Sequence, residues 1–151
     1  FWQGELESVG EAEMEELPFE LRIDVPDDDP AVFTGKIDRI DRLPDGGIEV
    51  IDYKTGKLSS QKSVQESLQL SIYALACRDT LDLGTPENVT LYFTEAATRM
   101  STTRTDEQLD AARDELAAWV QRVRGGDFAA TPSSSQCWRC DYGPLCPERT
   151  R

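Results

Sequence analysis

Residues 35–56 read GKIDRIDRLPDGGIEVIDYKTG, and this stretch decides the fold. Two runs rich in β-forming residues flank the turn sequence PDGG, so the pattern predicts a hairpin made of residues 31–43 and 47–54. Alternate side chains of a strand share one face, so Asp52 and Lys54 are expected to point the same way. Asp38, in the partner strand, is expected beside Asp52. The hairpin is therefore predicted to gather two carboxylates and one amine.

These three side chains suit the chemistry of a metal site. Adjacent carboxylates repel each other unless a cation lies between them, and Mg²⁺ and Mn²⁺ prefer oxygen ligands. Lys54 is placed to stabilise negative charge that develops on a phosphate, and Gly35 is expected to leave room for a substrate backbone. The alternative is a solvated ion pair between Asp52 and Lys54 at a strand end. Judged on spacing alone, this alternative is favoured, because short motifs often occur in proteins that lack the corresponding function.

The segments before and after the hairpin predict a mixed α/β domain. Glu-rich residues 2–16 predict a frayed helix, residues 17–25 a strand by their period-two pattern, and residues 26–30 a loop. A capping box at residues 63–66 opens a helix that buries one apolar face, comprising Val64, Leu68, Ile72 and Leu75.

Further along the chain, residues 88–94 and 99–103 predict strands. A second capping box at residues 105–108 opens a helix that ends at residues 125–126. Its predicted buried face comprises Leu109, Ala112, Leu116, Val120 and Val123. The expected organisation is a core of residues 1–126, lacking an upstream helix, followed by a cysteine-rich segment of the same domain at residues 127–151.

Composition narrows the classes of function. The 151 residues include no histidine, which excludes His-based acid–base catalysis and His-ligated zinc within this segment. The formal net charge is −13, but much of it lies in the first 30 residues, so it does not exclude nucleic acid as a partner. No apolar run is long enough to span a membrane and no signal peptide is visible, so a cytoplasmic protein is expected. The chain lacks an initiator Met and is expected to be a piece of something longer.

The Gly-x-x-Asp of Gly35 and Asp38, the hairpin, and the Asp-Tyr-Lys-Thr-Gly of residues 52–56 together resemble the core of RecB-type nucleases in the PD-(D/E)xK superfamily. Gln69 and Tyr73 resemble the Gln-x-x-x-Tyr element that follows this core. The resemblance implies a restriction-endonuclease-like fold, with a mixed central sheet flanked by helices. It also implies that Asp38, Asp52 and the backbone carbonyl of Tyr53 bind the metal. Lys54 would be the catalytic lysine, and Gln69 and Tyr73 would contact substrate or brace the site.

One feature of such nucleases is missing from the sequence. Many members supply a further His or Glu ligand from a helix before the first strand, and the chain has no histidine. Glu5, Glu7 and Glu11 are substitutes by position alone. The segment is therefore expected to be catalytically incomplete in isolation.

Three of the four cysteines, Cys137, Cys140 and Cys146, lie within ten residues, a density that favours a metal or cluster over disulfides. Their spacing resembles the C-terminal triplet of the iron–sulfur nucleases, both the AddB and AdnB type and the CRISPR adaptation exonucleases. The resemblance implies a 4Fe-4S cluster whose fourth ligand lies upstream of Phe1; zinc is the alternative. Cys77 is a second candidate ligand, although its place late in an apolar helix is typical of a buried cysteine.

The leading hypothesis is a Mg²⁺- or Mn²⁺-dependent exonuclease for single-stranded DNA. It would be the nuclease module of a helicase–nuclease in recombination and DNA repair, working with a helicase-like domain or subunit. No association with a membrane is expected. Seven bases are candidate DNA guides: Lys36, Lys57, Lys62, Arg122, Arg124, Arg139 and Arg149. The alternative is a non-catalytic DNA-binding or scaffolding module that keeps the fold and the cluster.

Overall fold

The computed structural model describes residues 11–150. The hairpin predicted around the PDGG turn is confirmed, and it is closed by backbone hydrogen bonds between Leu43 and Gly47 and between Gly46 and Leu43. The strands expected near residues 88–94 and 99–103 are also present. In chain order the elements are β1 (Glu11–Val25), β2 (Asp28–Arg42), β3 (Ile48–Lys54), α1 (Gln61–Gln65), α2 (Leu68–Asp79), β4 (Asn88–Phe93), β5 (Thr98–Thr102), α3 (Asp106–Arg124) and α4 (Ser134–Arg139).

The five strands form one mixed sheet in the order β1-β2-β3-β4-β5. The β1–β2, β2–β3 and β4–β5 pairs are antiparallel, whereas β3 and β4 are parallel. A parallel pair cannot be joined by a tight turn, so the chain crosses from β3 to β4 through α1 and α2. This crossover brings α2 over the end of β3. The predicted α/β class, a mixed sheet flanked by helices, is confirmed.

The core lies between the sheet and the helices α2 and α3. Each large aliphatic side chain that is fully buried stabilises the fold by about 1.5–3 kcal/mol relative to exposure. The sheet therefore forms a rigid support for side chains at the strand ends. The largest fully buried side chains include Leu21, Ile23, Ile37, Ile40, Ile48, Leu70, Leu75, Leu109 and Leu116.

The N-terminal strand is longer than the sequence predicts. Residues 11–16 belong to β1, so the expected frayed helix is wrong there; residues 2–10 lie outside the described residues. The acids of this segment pair with bases on β2, as in the contacts of Glu13 with Arg42 and of Glu16 with Lys36. Because these cross-strand ion pairs are not local in sequence, helix propensity alone misjudges the segment.

The first predicted helix is divided into two helices. Ser60 caps α1 and Ser67 caps α2, each accepting a hydrogen bond from the backbone N–H three residues later. The expected capping box at residues 63–66 is therefore wrong. Ser67 starts a new helix because, as an N-cap, its hydroxyl satisfies a backbone N–H that would otherwise have no partner. The break sets the start of α2, and hence the positions of Gln69 and Tyr73.

The long helix α3 begins where the sequence predicts. Thr105 and Gln108 form the expected capping box, and Leu109, Ala112 and Leu116 are buried. Val123 was expected on the buried face, but it is 57% exposed because the last turn of the helix passes beyond the sheet core. The short helix α4 lies in the cysteine-rich segment, and it buries none of its residues. No helix between residues 11 and 150 is long and apolar enough to cross a membrane.

Candidate active site

The hairpin places the two aspartates as the sequence predicts. Arg39 pairs with Ile51 in the β2–β3 ladder, and one further step along the same register puts Asp38 opposite Asp52. The backbone N–H of Tyr53 donates a 2.9 Å hydrogen bond to Asp38 Oδ2. This hydrogen bond holds the Asp38 side chain against the end of β3, at Tyr53, the residue that follows Asp52.

Asp52 is buried, with 3% of its surface exposed. Its Oδ1 accepts hydrogen bonds from Gln69 Nε2 and from the Tyr73 hydroxyl, both at 3.1 Å. Its Oδ2 lies 2.6 Å from Lys54 Nζ, which confirms that Asp52 and Lys54 share a face. That contact is an ion pair without hydrogen-bond alignment, and Oδ2 has no hydrogen-bond partner among the residues the structure describes. A buried carboxylate oxygen with an unused lone pair is suited to receive a cation.

Gln69 connects the helix to the strand. Its Oε1 accepts a 2.9 Å hydrogen bond from Lys54 Nζ, while its Nε2 donates to Asp52 and to the Tyr73 hydroxyl, the latter at 2.8 Å. Because Gln69 and Tyr73 are four residues apart on α2, they occupy one face of the helix. The result is a closed ring of contacts that fixes the direction of both Asp52 and Lys54.

Tyr73 is held as a neutral hydrogen-bond donor. Burial raises the pKa of Tyr73 to about 12, and the charge of Asp52, with a smaller contribution from Asp38, adds to the rise. The influence of both carboxylates on one hydroxyl is consistent with their close placement. Since the raised pKa keeps the hydroxyl protonated at neutral pH, Tyr73 donates to Asp52 throughout the physiological range.

We expect the titration of Tyr73 to be visible in the ultraviolet absorbance of tyrosinate. Subtracting the pH titration of Tyr73→Phe from that of the wild type should leave a group that titrates near 12 rather than near 10. The neutral form contributes stability in full below the unfolded-state pKa, and this stability is lost as pH rises through the folded-state pKa. A difference titration centred near pH 10 would mean that the hydroxyl is not buried against Asp52.

The donor set of the site fits a hard divalent cation. Asp38 and Asp52 offer carboxylate oxygens, and the buried Oδ2 of Asp52 lacks a hydrogen bond within residues 11–150. Oxygen ligands of this kind match Mg²⁺ and Mn²⁺. Between residues 11 and 150, no three His, Cys, Asp or Glu side chains come together as a metal-binding group. The carboxylate set described here is therefore a pair, and Glu5 and Glu7 lie outside the described residues.

The structure gives a different reason for the glycine at position 35 than the one expected from the sequence. A Cβ atom at this position would lie 2.5 Å from Cζ and 2.8 Å from Cε1 of Phe19, its partner in the β1–β2 ladder. The space beside Gly35 is thus filled by the Phe19 ring, so the expectation that it admits a substrate backbone is wrong. Phe19 in turn packs edge-on against Tyr73, with ring centroids 6.0 Å apart. The glycine therefore supports the aromatic side chain that braces Tyr73.

We expect Gly35→Ala to lower the free energy of unfolding by about 1–3 kcal/mol, the usual cost of overpacking a core. Gly56→Ala is the matched control, since no atom lies within 4 Å of a Cβ there. The loss should shrink in a Phe19→Leu background, because the shorter side chain leaves space for the new methyl group. Urea denaturation of the four combinations measures this coupling; additive effects would contradict the account.

Most of the bases proposed as DNA guides are paired with acids. Lys36 contacts Glu16, and Lys62 lies 3.7 Å from Glu66. Arg122 Nε lies 2.8 Å from Asp127 Oδ2, and Arg124 Nη1 lies 3.1 Å from Asp28 Oδ1. These contacts partly neutralise the charges, so the four bases do not form a free cationic track.

The cysteines divide into two environments. Cys77 lies in the hydrophobic core, and burial raises the pKa of its thiol to about 12, which fits a structural role. Cys137, Cys140 and Cys146 are free thiols in the C-terminal segment, and they are not gathered as a metal-binding group in the described part of the chain. A hydrogen bond from Thr150 lowers the pKa of the Cys137 thiol.

Two features of the site were missed by sequence reasoning. The first is Phe19, whose role follows from its position opposite Gly35; a large aromatic beside a strand glycine is the signal that would have indicated it. The second is the ion pair of Arg39 with Asp41, which is fully buried on the carboxylate side. Asp41 lies three residues after Asp38, so strand alternation turns it to the other face of the sheet, where Arg39 pairs with it.

Comparison with known proteins bears on the family and the fold. The family model of the PD-(D/E)XK nuclease superfamily matches residues 2–147. A solved structure titled "Crystal structure of SSO0001" is similar with a TM-score of 0.59 and 17% sequence identity, covering 99% of this chain. The alignment spans 66% of that protein's chain, and at this identity the likeness concerns the fold. No curated protein sequence matches the chain.

Proposed function

Because the chain belongs to the PD-(D/E)XK nuclease superfamily, we propose that it hydrolyses phosphodiester bonds of single-stranded DNA from an end, using Mg²⁺ or Mn²⁺. Membership in the superfamily implies metal-dependent cleavage of nucleic acid. The single observation that carries the assignment to these residues is the state of Asp52, which is buried beside Lys54 with one oxygen lacking a hydrogen bond.

Asp38 and Asp52, with the backbone carbonyl of Tyr53, would hold the cation. Once bound, the cation supplies positive charge for the phosphate oxygens and lowers the pKa of water at the site. The hydrogen bond from the Tyr53 N–H fixes Asp38, and those from Gln69 and Tyr73 fix Oδ1 of Asp52. Both carboxylates are therefore oriented before substrate arrives, which reduces the cost of reorganisation.

Lys54 would act on the substrate from the same face. Its ammonium lies 2.6 Å from Asp52 Oδ2 and 2.9 Å from Gln69 Oε1, at the rim of the site, with about a third of the side chain exposed. From there it can donate to a phosphate oxygen and stabilise the charge that builds up during hydrolysis. Gln69 keeps the ammonium directed at this position.

The experiment uses linear and circular single-stranded DNA with Mg²⁺, with Mn²⁺ and with EDTA. We expect the full-length protein to degrade linear DNA with either metal, to leave circular DNA intact, and to lose activity on chelation. Cleavage of the circle would overturn the exonuclease assignment while keeping the nuclease. The absence of cleavage together with DNA binding would favour the non-catalytic scaffold.

We further propose that Cys137, Cys140 and Cys146 hold a 4Fe-4S cluster with a fourth ligand from upstream, zinc being the alternative. Local packing supports this: a Cβ on Gly143 would lie 3.1 Å from the Cys137 carbonyl oxygen and 3.0 Å from that of Cys140, so the backbone of the loop is tightly folded at residue 143. The lowered pKa of the Cys137 thiol favours the thiolate that metals bind. Metal analysis that finds neither iron nor zinc would remove this proposal.

The wider setting is also a proposal. We assign residues 1–126 to the catalytic core and residues 127–151 to the cysteine-rich segment. The chain would act in recombination and DNA repair, fed by a helicase-like domain or subunit. Four free thiols suit a reducing compartment, which supports a cytoplasmic location.

A further inference from the structure

The opposite face of β3 carries an exposed aromatic ring beside the candidate site. Tyr53 lies between Asp52 and Lys54 in the chain, so its side chain points to the other side of the sheet. Tyr53 is 42% exposed, whereas Ile51 and Asp52 of the same strand are 2% and 3% exposed. A large ring that remains accessible at the end of a central strand is therefore within one residue of the candidate metal ligands.

The ring of Tyr53 is held in one orientation. Tyr92, its partner in the parallel β3–β4 ladder, packs against it edge-on, with centroids 5.7 Å apart and an interplanar angle of 89°. The guanidinium of Arg39 also interacts with the Tyr53 hydroxyl. Because the ring is already ordered, a flat ligand that stacks on it would cost little side-chain entropy.

The charged side chains around Tyr53 already form ion pairs with one another. Arg39 donates to both oxygens of the Asp41 carboxylate, and Arg99 lies 2.8 Å from Glu49 Oε2. Such paired groups offer little net charge to a phosphate. What this part of the surface offers is an aromatic plane, which suits a nucleobase, because every base has a π face.

We infer that Tyr53 is a stacking site for an unpaired nucleobase next to the bond that is cleaved. The inference rests on the proposed function and adds a specificity-determining residue to it. β3 ends at Lys54, so a single strand that passes this end can present a phosphate to the Asp52 side and a base to the Tyr53 side. A base within a duplex is stacked and paired, and it is not available for this contact.

The test measures equilibrium binding of a fluorescent single-stranded oligonucleotide of about 12 residues, in EDTA so that cleavage is prevented. We expect Tyr53→Leu to weaken binding roughly 10-fold, the scale of one stacked base, whereas Tyr53→Phe keeps the ring and should bind as the wild type does. Trp119→Ala is the matched control, because Trp119 is also a half-exposed aromatic but lies on α3.

An abasic oligonucleotide of the same length separates stacking from backbone contacts. The difference between wild type and Tyr53→Leu should vanish on it, because there is no base to stack. A difference that persists on the abasic strand, or an equal loss in Tyr53→Phe, would overturn the inference. Tyr53→Trp gives a second readout: its fluorescence should be quenched by the normal strand but not by the abasic one, and quenching by both would count against stacking.

The inference and the proposed function can fail separately. Cleavage with normal metal dependence, combined with unchanged binding in Tyr53→Leu, would remove the stacking site and leave the nuclease. Base-dependent binding through Tyr53 without any cleavage would remove the nuclease and leave the stacking site.

Discussion

Asp52→Asn is expected to lower kcat for DNA cleavage by at least about 1,000-fold, corresponding to roughly 4 kcal/mol of lost transition-state stabilisation. Asparagine keeps an acceptor for Gln69 and Tyr73 but loses the negative charge of the oxygen beside Lys54. The fold should therefore survive while the affinity for the cation is lost. Steady-state cleavage of an end-labelled single strand, at a Mg²⁺ concentration that saturates the wild type, measures the effect.

Asp24→Asn is the matched control for this substitution. Asp24 is an aspartate on β1 of the same sheet, and its side chain is 85% exposed. We expect its kcat to stay within about twofold of the wild type, since exposed surface substitutions usually have small effects. Equal activity of Asp52→Asn and Asp24→Asn would remove Asp52 from the mechanism.

Lys54→Ala is expected to lower kcat by at least about 100-fold, on the scale of losing one group that stabilises charge in the transition state. The same change leaves the buried carboxylate of Asp52 without its cationic neighbour. We therefore expect the variant to lose about 1–3 kcal/mol of stability in EDTA, and to recover part of it when Mg²⁺ is added. Cleavage assays and thermal unfolding with and without metal test both parts.

Lys62→Ala serves as the control for Lys54→Ala, because the Lys62 side chain is 79% exposed and pairs with Glu66 within α1 and its cap. Its activity and its metal-dependent stability should match those of the wild type. If Lys54→Ala gains no more stability from Mg²⁺ than Lys62→Ala does, the ammonium and the metal do not share the Asp52 carboxylate.

The local part of this site could be predicted from sequence. Period-two alternation and the turn residues fix the hairpin, so Asp38, Asp52 and Lys54 follow from a few short-range rules. The pairing of Gln69 with Tyr73 on one helix face follows equally from their spacing. The direction of the Gln69 amide does not follow from the sequence, because it depends on where α2 lies over the end of β3.

Features that depend on distant contacts were not predictable in the same way. The sequence does not show that Phe19 lies opposite Gly35 across the sheet, so it does not reveal why a glycine is needed there. The extension of β1 depends on ion pairs such as that of Glu13 with Arg42, whose residues are far apart in the chain. The sequence does not single out Ser60 and Ser67 as the caps, because Ser63 offers an equally good local pattern.

The central claim is that Asp38 and Asp52 together bind one divalent cation. Calorimetric titration of Mn²⁺ into the wild type and into the double variant Asp38→Asn/Asp52→Asn tests it without relying on activity, with Asp24→Asn as the control. We expect the double variant to bind Mn²⁺ at least about 100-fold more weakly, since carboxylate charge supplies most of the attraction for a hard cation. Equal Mn²⁺ affinity in the double variant and the wild type would contradict the account.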